Sequence, residues 1–368
     1  PGRLCEGLRP SEETEAKPMT TTSPIEIDGR TGEGGGQVLR TSLSLAAALG
    51  VPVRVTDIRG GRRKPGLLRQ HRTCARAVAQ VTSGRLEGDG LGSRELTFIP
   101  GGPPIAGDYE FAIGSAGSTT LVLQTVLPPL LRADAPSRIV VRGGTHNPSA
   151  PPFESIAHSF LPVLRRAGAE VEIELVAPGF APAGGGEVHL HVRPAATPKP
   201  VSIERALDKP RRRVVVRLHG IPEAVAEREW IAFAKKTDWP RSCLEVVSTK
   251  GVGGGNAMVA LLEGDEATAA LVSFGSPTLS SERVGGVLAR SVQRFLKAGA
   301  PVDPHLADQL MLPLALLAGG RFVTGPLSRH ATTNAEVIER FLPGAVSMGD
   351  AGAGRALGVT VQGLRTHP

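Results

Sequence analysis

Short strand-like runs alternate with helical stretches along this chain, and glycine-rich turns separate them. The first unit opens with IEID, passes a glycine-rich turn and continues as the helix QVLRTSLSLAAALG. In that helix Val38, Leu45 and Leu49 fall on one face, and Gly50 supplies a stop signal. A strand (VRVTDI), a basic turn, a second helix and a strand around ELTFIP follow. This alternation predicts an α/β (α+β) fold.

Related strand and helix patterns return later in the chain, which indicates repeated units. They begin at YEFAIGSAG and again at RIVVRGGTH, with low identity between them. The Pro- and charge-rich stretch ATPKPVSIERALDKPRRR then predicts a crossover into a smaller inserted α/β domain over about 199–299. We expect 19–198 and 300–368 to form the large domain, and 1–18 to be a disordered leader or an expression remnant.

Composition excludes several classes of protein. The chain has no run of 18 apolar residues and no apolar signal centre near its start, so we predict no membrane span and a cytoplasmic location. Three scattered cysteines match neither a disulfide framework nor a zinc site. A net charge of +7 suits an anionic partner, whereas 4% aromatic residues argue against base stacking along a single strand. The oligomeric state stays open.

Two loops of the first unit have the composition of phosphate-binding loops. The segment DGRTGEGGGQVLR places glycines before a helix start, where backbone N–H groups and the helix dipole favour an anion. Within it Glu33 is either a ligand for a divalent cation or a charge near the helix start. The segment RGGRRKPGLLRQHR groups six Arg or Lys residues, whose charges bind phosphate or lie in a solvated turn.

Two further segments contain candidate polar residues. In AIGSAGSTTLVLQTVLP, small residues precede an apolar helix whose single amide, Gln124, faces a pocket or bonds to backbone. In GPLSRHATTNAEVIERF, the pair Thr333 and Glu336 fits a capping box, which predicts that the helix starts there and that His330 lies just outside it. A neutral imidazole can attack phosphorus, so His330 is either a nucleophile or an exposed loop residue. If it is the nucleophile, we expect AMP loading to fail in acid, because the imidazole gains a proton there.

Six segments in order resemble the RNA 3′-terminal phosphate cyclase family, from about residue 24 to 345. They are DGRTGEGGGQVLR, RGGRRKPGLLRQH, FAIGSAGSTTLVLQTVLP, GGTHNPSAPP, HLADQL and SRHATTN. The resemblance implies a large domain of three repeated units, each a four-stranded sheet with two helices, plus a smaller inserted α/β domain. It also implies a ligase-type nucleotidyl transferase that uses ATP and Mg²⁺ or Mn²⁺ to convert an RNA 3′-phosphate to a 2′,3′-cyclic phosphate. The path would run through histidine-AMP and RNA-adenylate, releasing AMP and pyrophosphate.

The same resemblance implies roles for individual residues. His330, in H-x-x-T-N, matches the nucleophile, and Glu33 matches a carboxylate near the metal. His305 stands where relatives often carry an aromatic that stacks on adenine. Positions that line the nucleotide or the RNA end match Arg40, Arg59, Arg62, Gln70, His71, Gln124, Asp308 and Gln309.

Two other functions stay open at this point. One is a noncatalytic or differently acting relative that serves as a binding partner in ribosomal RNA processing. Such a relative would be expected to lack the nucleophile. The other is an enzyme of small-molecule phosphate transfer built from similar repeated units.

Overall fold

The computed structural model describes residues 23–251, 253–351 and 356–364. In this part of the chain the strands form four sheets of four strands each, with helices packed on them. This arrangement confirms the predicted α/β (α+β) fold of repeated units. The predicted leader at 1–18 lies outside the described residues. Among the described helices, none combines the length and the apolar character that crossing a membrane requires.

The first unit is a complete strand-helix-strand-helix-strand-strand module. Its elements are β1 (Ile25–Asp28), α1 (Gly36–Leu49), β2 (Val53–Thr56), α2 (Arg69–Val81), β3 (Arg85–Glu87) and β4 (Leu96–Ile99). The sheet order is β1-β2-β4-β3, with β1 and β2 parallel and the other pairs antiparallel. Helix α1 stops where predicted, because Gly50 adopts the left-handed conformation with φ 68°.

The second unit repeats this order as β5-β6-β8-β7. Its elements are β5 (Asp108–Ala112), α3 (Thr119–Leu130), β6 (Ser137–Gly143), α4 (Phe153–Ser155), a π-helical turn (Ile156–Phe160), α5 (Leu161–Arg166), β7 (Glu170–Ala177) and β8 (Gly186–Arg193). The prediction that the stretches from YEFAI and RIVVR are two repeats is wrong. They form the parallel neighbours β5 and β6 of one sheet, so each is half of a unit.

The third unit is divided by a long insertion. Its elements are β9 (Val201–Ile203), α8 (Pro304–Leu316), β14 (Gly319–Thr324), α9 (Arg329–Phe341), β15 (Val346–Asp350) and β16 (Leu357–Gln362). Read from β9, the order β9-β14-β16-β15 is the same as in the other two units, and β9 again runs parallel to its neighbour. The three sheets therefore share one topology despite their low identity.

The insert contains the elements between β9 and α8. They are β10 (Arg211–His219), α6 (Ala224–Thr237), a 3₁₀ turn (Arg241–Cys243), β11 (Leu244–Thr249), β12 (Gly255–Glu263), β13 (Thr268–Phe274) and α7 (Ser281–Ala298). One face of its sheet packs on α6 and α7 around its own core, and β13 contacts the π-helical turn of the second unit. Because β9 pairs with β14, we propose that the inserted domain begins after Ile203, a few residues beyond the predicted position 199.

Helices join the three units into one core. The first helices of the units, α1, α3 and α8, contact one another. Each also contacts a helical segment of another unit, in the pairs α1 with α9, α3 with α2, and α8 with the π-helical turn. Because the first two strands of each unit are parallel, the loops at their carboxyl ends lie at the same edge of each sheet. Ligands commonly bind at such edges.

The insert contains a buried carboxyl group that forms no ion pair with any described residue, although the charge of the neighbouring Arg228 acts on it. Glu229 on α6 is 1% exposed, Asn256 donates a hydrogen bond to its Oε1, and its Oε2 has no partner among the described residues. Burial raises the pKa of Glu229 to about 7, although the bond from Asn256 opposes that shift. The ionised form is therefore costly in the folded protein.

We predict that Glu229→Gln makes the protein more stable at pH 8 but not at pH 4.5. The raised pKa means that the unfolded chain loses this proton first, so stability falls as pH rises from about 4.5 to about 7. The glutamine should recover up to about 3 kcal/mol of unfolding free energy at pH 8. Denaturant titrations at both pH values measure this difference. Glu227→Gln, at an exposed position of the same helix, is the control; an equal gain there would contradict the prediction.

Candidate active site

A cavity of about 750 Å³ lies where the three units and the insert meet. Its walls come from the loops and helix starts that follow the first two strands of the units, together with β13 of the insert. Every candidate site residue named from the sequence lines this cavity. They are Glu33, Arg40, Arg59, Arg62, Gln70, His71, Gln124, His305, Asp308, Gln309 and His330.

His330 lies inside the first turn of α9, not outside the helix. The predicted capping box at Thr333 and Glu336 is wrong, because the helix already starts at Arg329. Ser328 is the N-cap, and its hydroxyl accepts a hydrogen bond from the amide of Ala331. The imidazole is half-exposed and faces the cavity.

Thr333 and Asn334 connect α9 to other units. The Thr333 hydroxyl donates to the carbonyl of Arg329 and accepts from the amide of Glu33, at 2.6 and 3.0 Å. Asn334 accepts from Thr41 on α1 and donates to the carbonyl of Asp308 on α8, at 2.7 and 2.8 Å. Gly32 is needed beside Thr333, since a Cβ there would collide with the hydroxyl. The T-N pair in H-x-x-T-N therefore holds the histidine against the glycine loop.

The carboxylate of Glu33 lies between the imidazole of His330 and the guanidinium of Arg62. Its Oε2 is 3.1 Å from His330 Nε2 and 2.5 Å from Arg62 Nη2. The hydrogen bond to Glu33 raises the pKa of His330, against the effect of burial. Burial raises the pKa of Glu33, but its interactions with His330 and Arg62 outweigh burial and lower the pKa overall. Its Oε1 is buried and has no hydrogen-bond partner in the described chain, so one carboxylate oxygen is available to a ligand.

Arg40 contributes a positive charge that no protein group neutralises directly. Its guanidinium makes no hydrogen bond or ion pair with any residue in the described ranges, although it lines the cavity. Burial lowers the pKa of Arg40, and the more distant charges of Asp308 and Glu33 only partly oppose this. An anion bound in the cavity would complete the electrostatics of this side chain.

The basic loop between β2 and α2 contributes both charge and a neutral donor. Burial, followed by the charges of Arg40 and Arg59, lowers the pKa of His71 to about 3, so its imidazole is neutral near pH 7. Its Nδ1 accepts from the amide of Leu68, which leaves the hydrogen on Nε2. Arg59 Nη1 donates to the carbonyls of Lys64 and Gly66, so part of this guanidinium stabilises its own loop.

The remaining predicted residues lie on the walls formed by α2, α3 and α8. Gln70 accepts from the amide of Ser118 at 2.6 Å and so holds the start of α3. Gln124 makes no hydrogen bond with any described residue, so the alternative of a backbone-bound glutamine is wrong. Asp308 accepts from Gln37 at 2.5 Å, and burial raises its pKa. His305 and Gln309 share α8 with Asp308.

A buried ion cluster supports the wall formed by residues 147–152. Glu154 binds His146 Nε2 at 2.9 Å and Arg217 Nε of the insert at 2.7 Å. Burial raises the pKa of Glu154, but these two partners outweigh it and lower the pKa to about 2. The segment GGTHNPSAPP resembles the family, but neither its link to the insert nor the role of Gln37 was predicted from the sequence. Neither had a local signal, because each depends on a partner distant in the chain.

We predict that Thr333→Val lowers the unfolding free energy by about 1–3 kcal/mol, because the amide of Glu33 loses its buried acceptor. Denaturant titration of the two proteins measures the effect. Thr332→Val is the matched control, since Thr332 is exposed and its hydroxyl bonds, among the described residues, to the carbonyl of Arg329 alone. Its change should stay within about 0.5 kcal/mol. Equal losses in both variants would contradict the role given to Thr333.

Known proteins are similar to this chain over most of its length. A family model described as RNA 3′-terminal phosphate cyclase matches residues 31–348. The chain is 46% identical over 319 residues to the RNA 3′-terminal phosphate cyclase of Ectopseudomonas mendocina (strain ymp), covering 86% of this chain and 92% of that protein. It is 46% identical over 327 residues to the Pseudomonas aeruginosa (strain LESB58) protein of the same name, covering 89% and 94%. The chain therefore belongs to the RNA 3′-terminal phosphate cyclase family.

Proposed function

We propose that this protein is an ATP-dependent RNA 3′-terminal phosphate cyclase with His330 as its nucleophile. The observation that carries the proposal is the shared cavity of His330 and Arg40, whose guanidinium forms no ion pair or hydrogen bond with any described residue. Glu33 and Arg62 complete this end of the cavity. A nucleophile that shares a cavity with a cation lacking an ion-pair partner suits attack on a phosphate ester.

The first step transfers AMP to the protein. The lone pair of His330 Nε2 forms a bond to the α-phosphorus of ATP, and the bond from that phosphorus to the bridging oxygen breaks. Pyrophosphate leaves with the electron pair. Arg40 and Arg62 neutralise the charge that develops on the phosphate oxygens, which is the main protein contribution to phosphoryl and nucleotidyl transfer.

The next two steps act on RNA. An oxygen of the RNA 3′-phosphate attacks the phosphorus of the histidine-AMP, and His330 Nε2 leaves. The vicinal 2′-hydroxyl then loses its proton to water and forms a bond to the 3′-phosphorus, AMP leaves with the electron pair of the bond that breaks, and a 2′,3′-cyclic phosphate remains. We propose that Arg59, Gln70, His71 and Gln124 line the phosphates or the RNA end, with His71 acting as a neutral donor through Nε2.

Glu33 fits a divalent cation at this site. Its buried Oε1 has no hydrogen-bond partner in the described chain, and carboxylate oxygen is a hard ligand suited to Mg²⁺ or Mn²⁺. We propose that Glu33 holds such an ion together with phosphate oxygens. The ion would withdraw charge from the phosphorus and orient the pyrophosphate to leave.

The nucleoside end of the proposed complex lies along α8. There His305, Asp308 and Gln309 line the cavity, and His305 offers a ring that can stack on a base. Residues 147–152 of the second unit and strand β13 of the insert form the opposite wall. A cytoplasmic location is part of the same proposal, since RNA ends and ATP occur together there.

We predict that His330→Ala abolishes a covalent protein-AMP adduct. The unchanged protein, incubated with α-labelled ATP and Mg²⁺ or Mn²⁺, should gain label that is stable in alkali and released by acid. A chelator should prevent the labelling. His191→Ala is the control, because His191 is exposed on β8 and does not line the cavity. Adduct formation by the His330→Ala protein would reject the assignment.

We predict that Arg40→Leu abolishes the adduct yet stabilises the free protein. The leucine removes a partly buried cation that lacks a protein partner, so the unfolding free energy should rise by about 1 kcal/mol without nucleotide. Denaturant titration and labelling with α-labelled ATP measure the two effects. Arg76→Leu, at an exposed arginine of α2 paired with Asp89, should change neither strongly. A loss of stability in Arg40→Leu would show that the guanidinium has a structural partner instead.

A further inference from the structure

We infer that Gln37 is a positioning residue that sets the tautomer of His330, and that Asp308 sets the orientation of Gln37. The inference rests on the proposed function, in which His330 is the nucleophile. Gln37 stands at the second position of α1 and is 8% exposed. It comes directly after the glycines of DGRTGEGGGQVLR, whose composition is that of a phosphate-binding loop.

Three side chains from two units form a continuous hydrogen-bonded chain. Gln37 Nε2 is 2.5 Å from Asp308 Oδ1 on α8. Gln37 Oε1 is 2.8 Å from His330 Nδ1 on α9. All three side chains line the cavity, and Asn334 and Thr41 tie the same three helices together beside them. The positions of Gln37, Asp308 and His330 are therefore fixed by packing as well as by their mutual bonds.

When Asp308 is ionised, the donors and acceptors of Gln37, Asp308 and His330 have one consistent assignment. The carboxylate of Asp308 accepts hydrogen bonds, so the group of Gln37 that faces it is the amide NH₂. The carbonyl oxygen of Gln37 then faces His330 and can only accept. Nδ1 of His330 must consequently carry a hydrogen. Nε2 lies 3.1 Å from Glu33 Oε2 and donates a hydrogen bond to it in the free protein, so the hydrogen that leaves before attack is the one on Nε2, and the lone pair then lies on that nitrogen.

This tautomer suits both transfers of AMP without a proton changing place on the ring. When Nε2 bonds to the α-phosphorus and pyrophosphate leaves, the ring becomes cationic and keeps its hydrogen on Nδ1. The Gln37 carbonyl accepts a stronger hydrogen bond from that cation, and the carboxylate of Asp308 polarises the amide from behind. When AMP passes to RNA, the bond from Nε2 to phosphorus breaks and the same neutral tautomer returns.

The test separates protein-AMP formation, which needs His330, from cyclisation of adenylylated RNA, which does not. Formation of protein-AMP is measured in a single turnover, and cyclisation is measured separately on RNA already adenylylated at its 3′-phosphate. We expect Gln37→Met to slow protein-AMP formation about 10- to 100-fold, by analogy with the loss seen when the partner that orients a metal-bound histidine is removed. The KM for ATP and the cyclisation of adenylylated RNA should change far less.

Variants at Asp308 test the direction of the hydrogen bonds from His330 through Gln37 to Asp308. In Asp308→Asn the new amide can donate or accept, so Gln37 is free to turn its NH₂ toward Nδ1 and place the hydrogen on Nε2. Protein-AMP formation should fall. The double variant Gln37→Glu with Asp308→Asn exchanges carboxylate and amide, so residue 37 again accepts from Nδ1 while residue 308 donates. Part of the lost rate should return.

Each outcome bears on a different proposal. Ser42→Ala is the control, because this buried hydroxyl on α1 bonds only to the carbonyl of Val38 and should leave every rate unchanged. The positioning role would be overturned if Gln37→Met slowed protein-AMP formation and cyclisation equally, or slowed neither. It would also be overturned if the double variant formed protein-AMP no faster than Asp308→Asn. Absence of any adduct in the unchanged protein would instead reject the proposed function.

Discussion

The parallel pairing of the first two strands in every unit is the constraint on which the site depends. Parallel neighbours present the loops at their carboxyl ends at one edge of the sheet, and each unit follows both strands with a helical segment. Contacts among α1, α3 and α8 then bring the three edges to one place. The cavity is therefore assembled from loops in all three units, and the insert closes it with β13.

Charge in the cavity is arranged for a ligand and not for the stability of the free protein. Glu33 shares one oxygen between His330 and Arg62 while its other oxygen has no hydrogen-bond partner in the described chain. Arg40 is likewise without a direct partner there. Polar groups left unsatisfied in a folded protein are costly, and such costs concentrate where function requires them. The buried cluster around Glu154, by contrast, is fully paired and holds a wall in place.

Local sequence patterns predicted much of this molecule and failed at identifiable points. Gly50 ended α1 as expected, and the basic loop and His330 lie on the cavity. The capping box failed because Ser328 caps α9 five residues earlier than the pattern required, and Thr333 bonds across to the glycine loop instead. The count of repeats failed because a strand and its helix look like a complete unit in sequence, whereas β5 and β6 complete one sheet together.

The sequence by itself determined the kinds of chemistry available: glycines before a helix, arginines in a fixed loop, and a histidine beside a threonine-asparagine pair. Only the tertiary structure decided which of these groups meet. Gln37 and His330 are separated by 293 positions, and nothing in the periodicity of either helix specifies that contact. Periodicity reports which face of an element is buried, whereas the partner on that face follows from how three sheets and their helices pack.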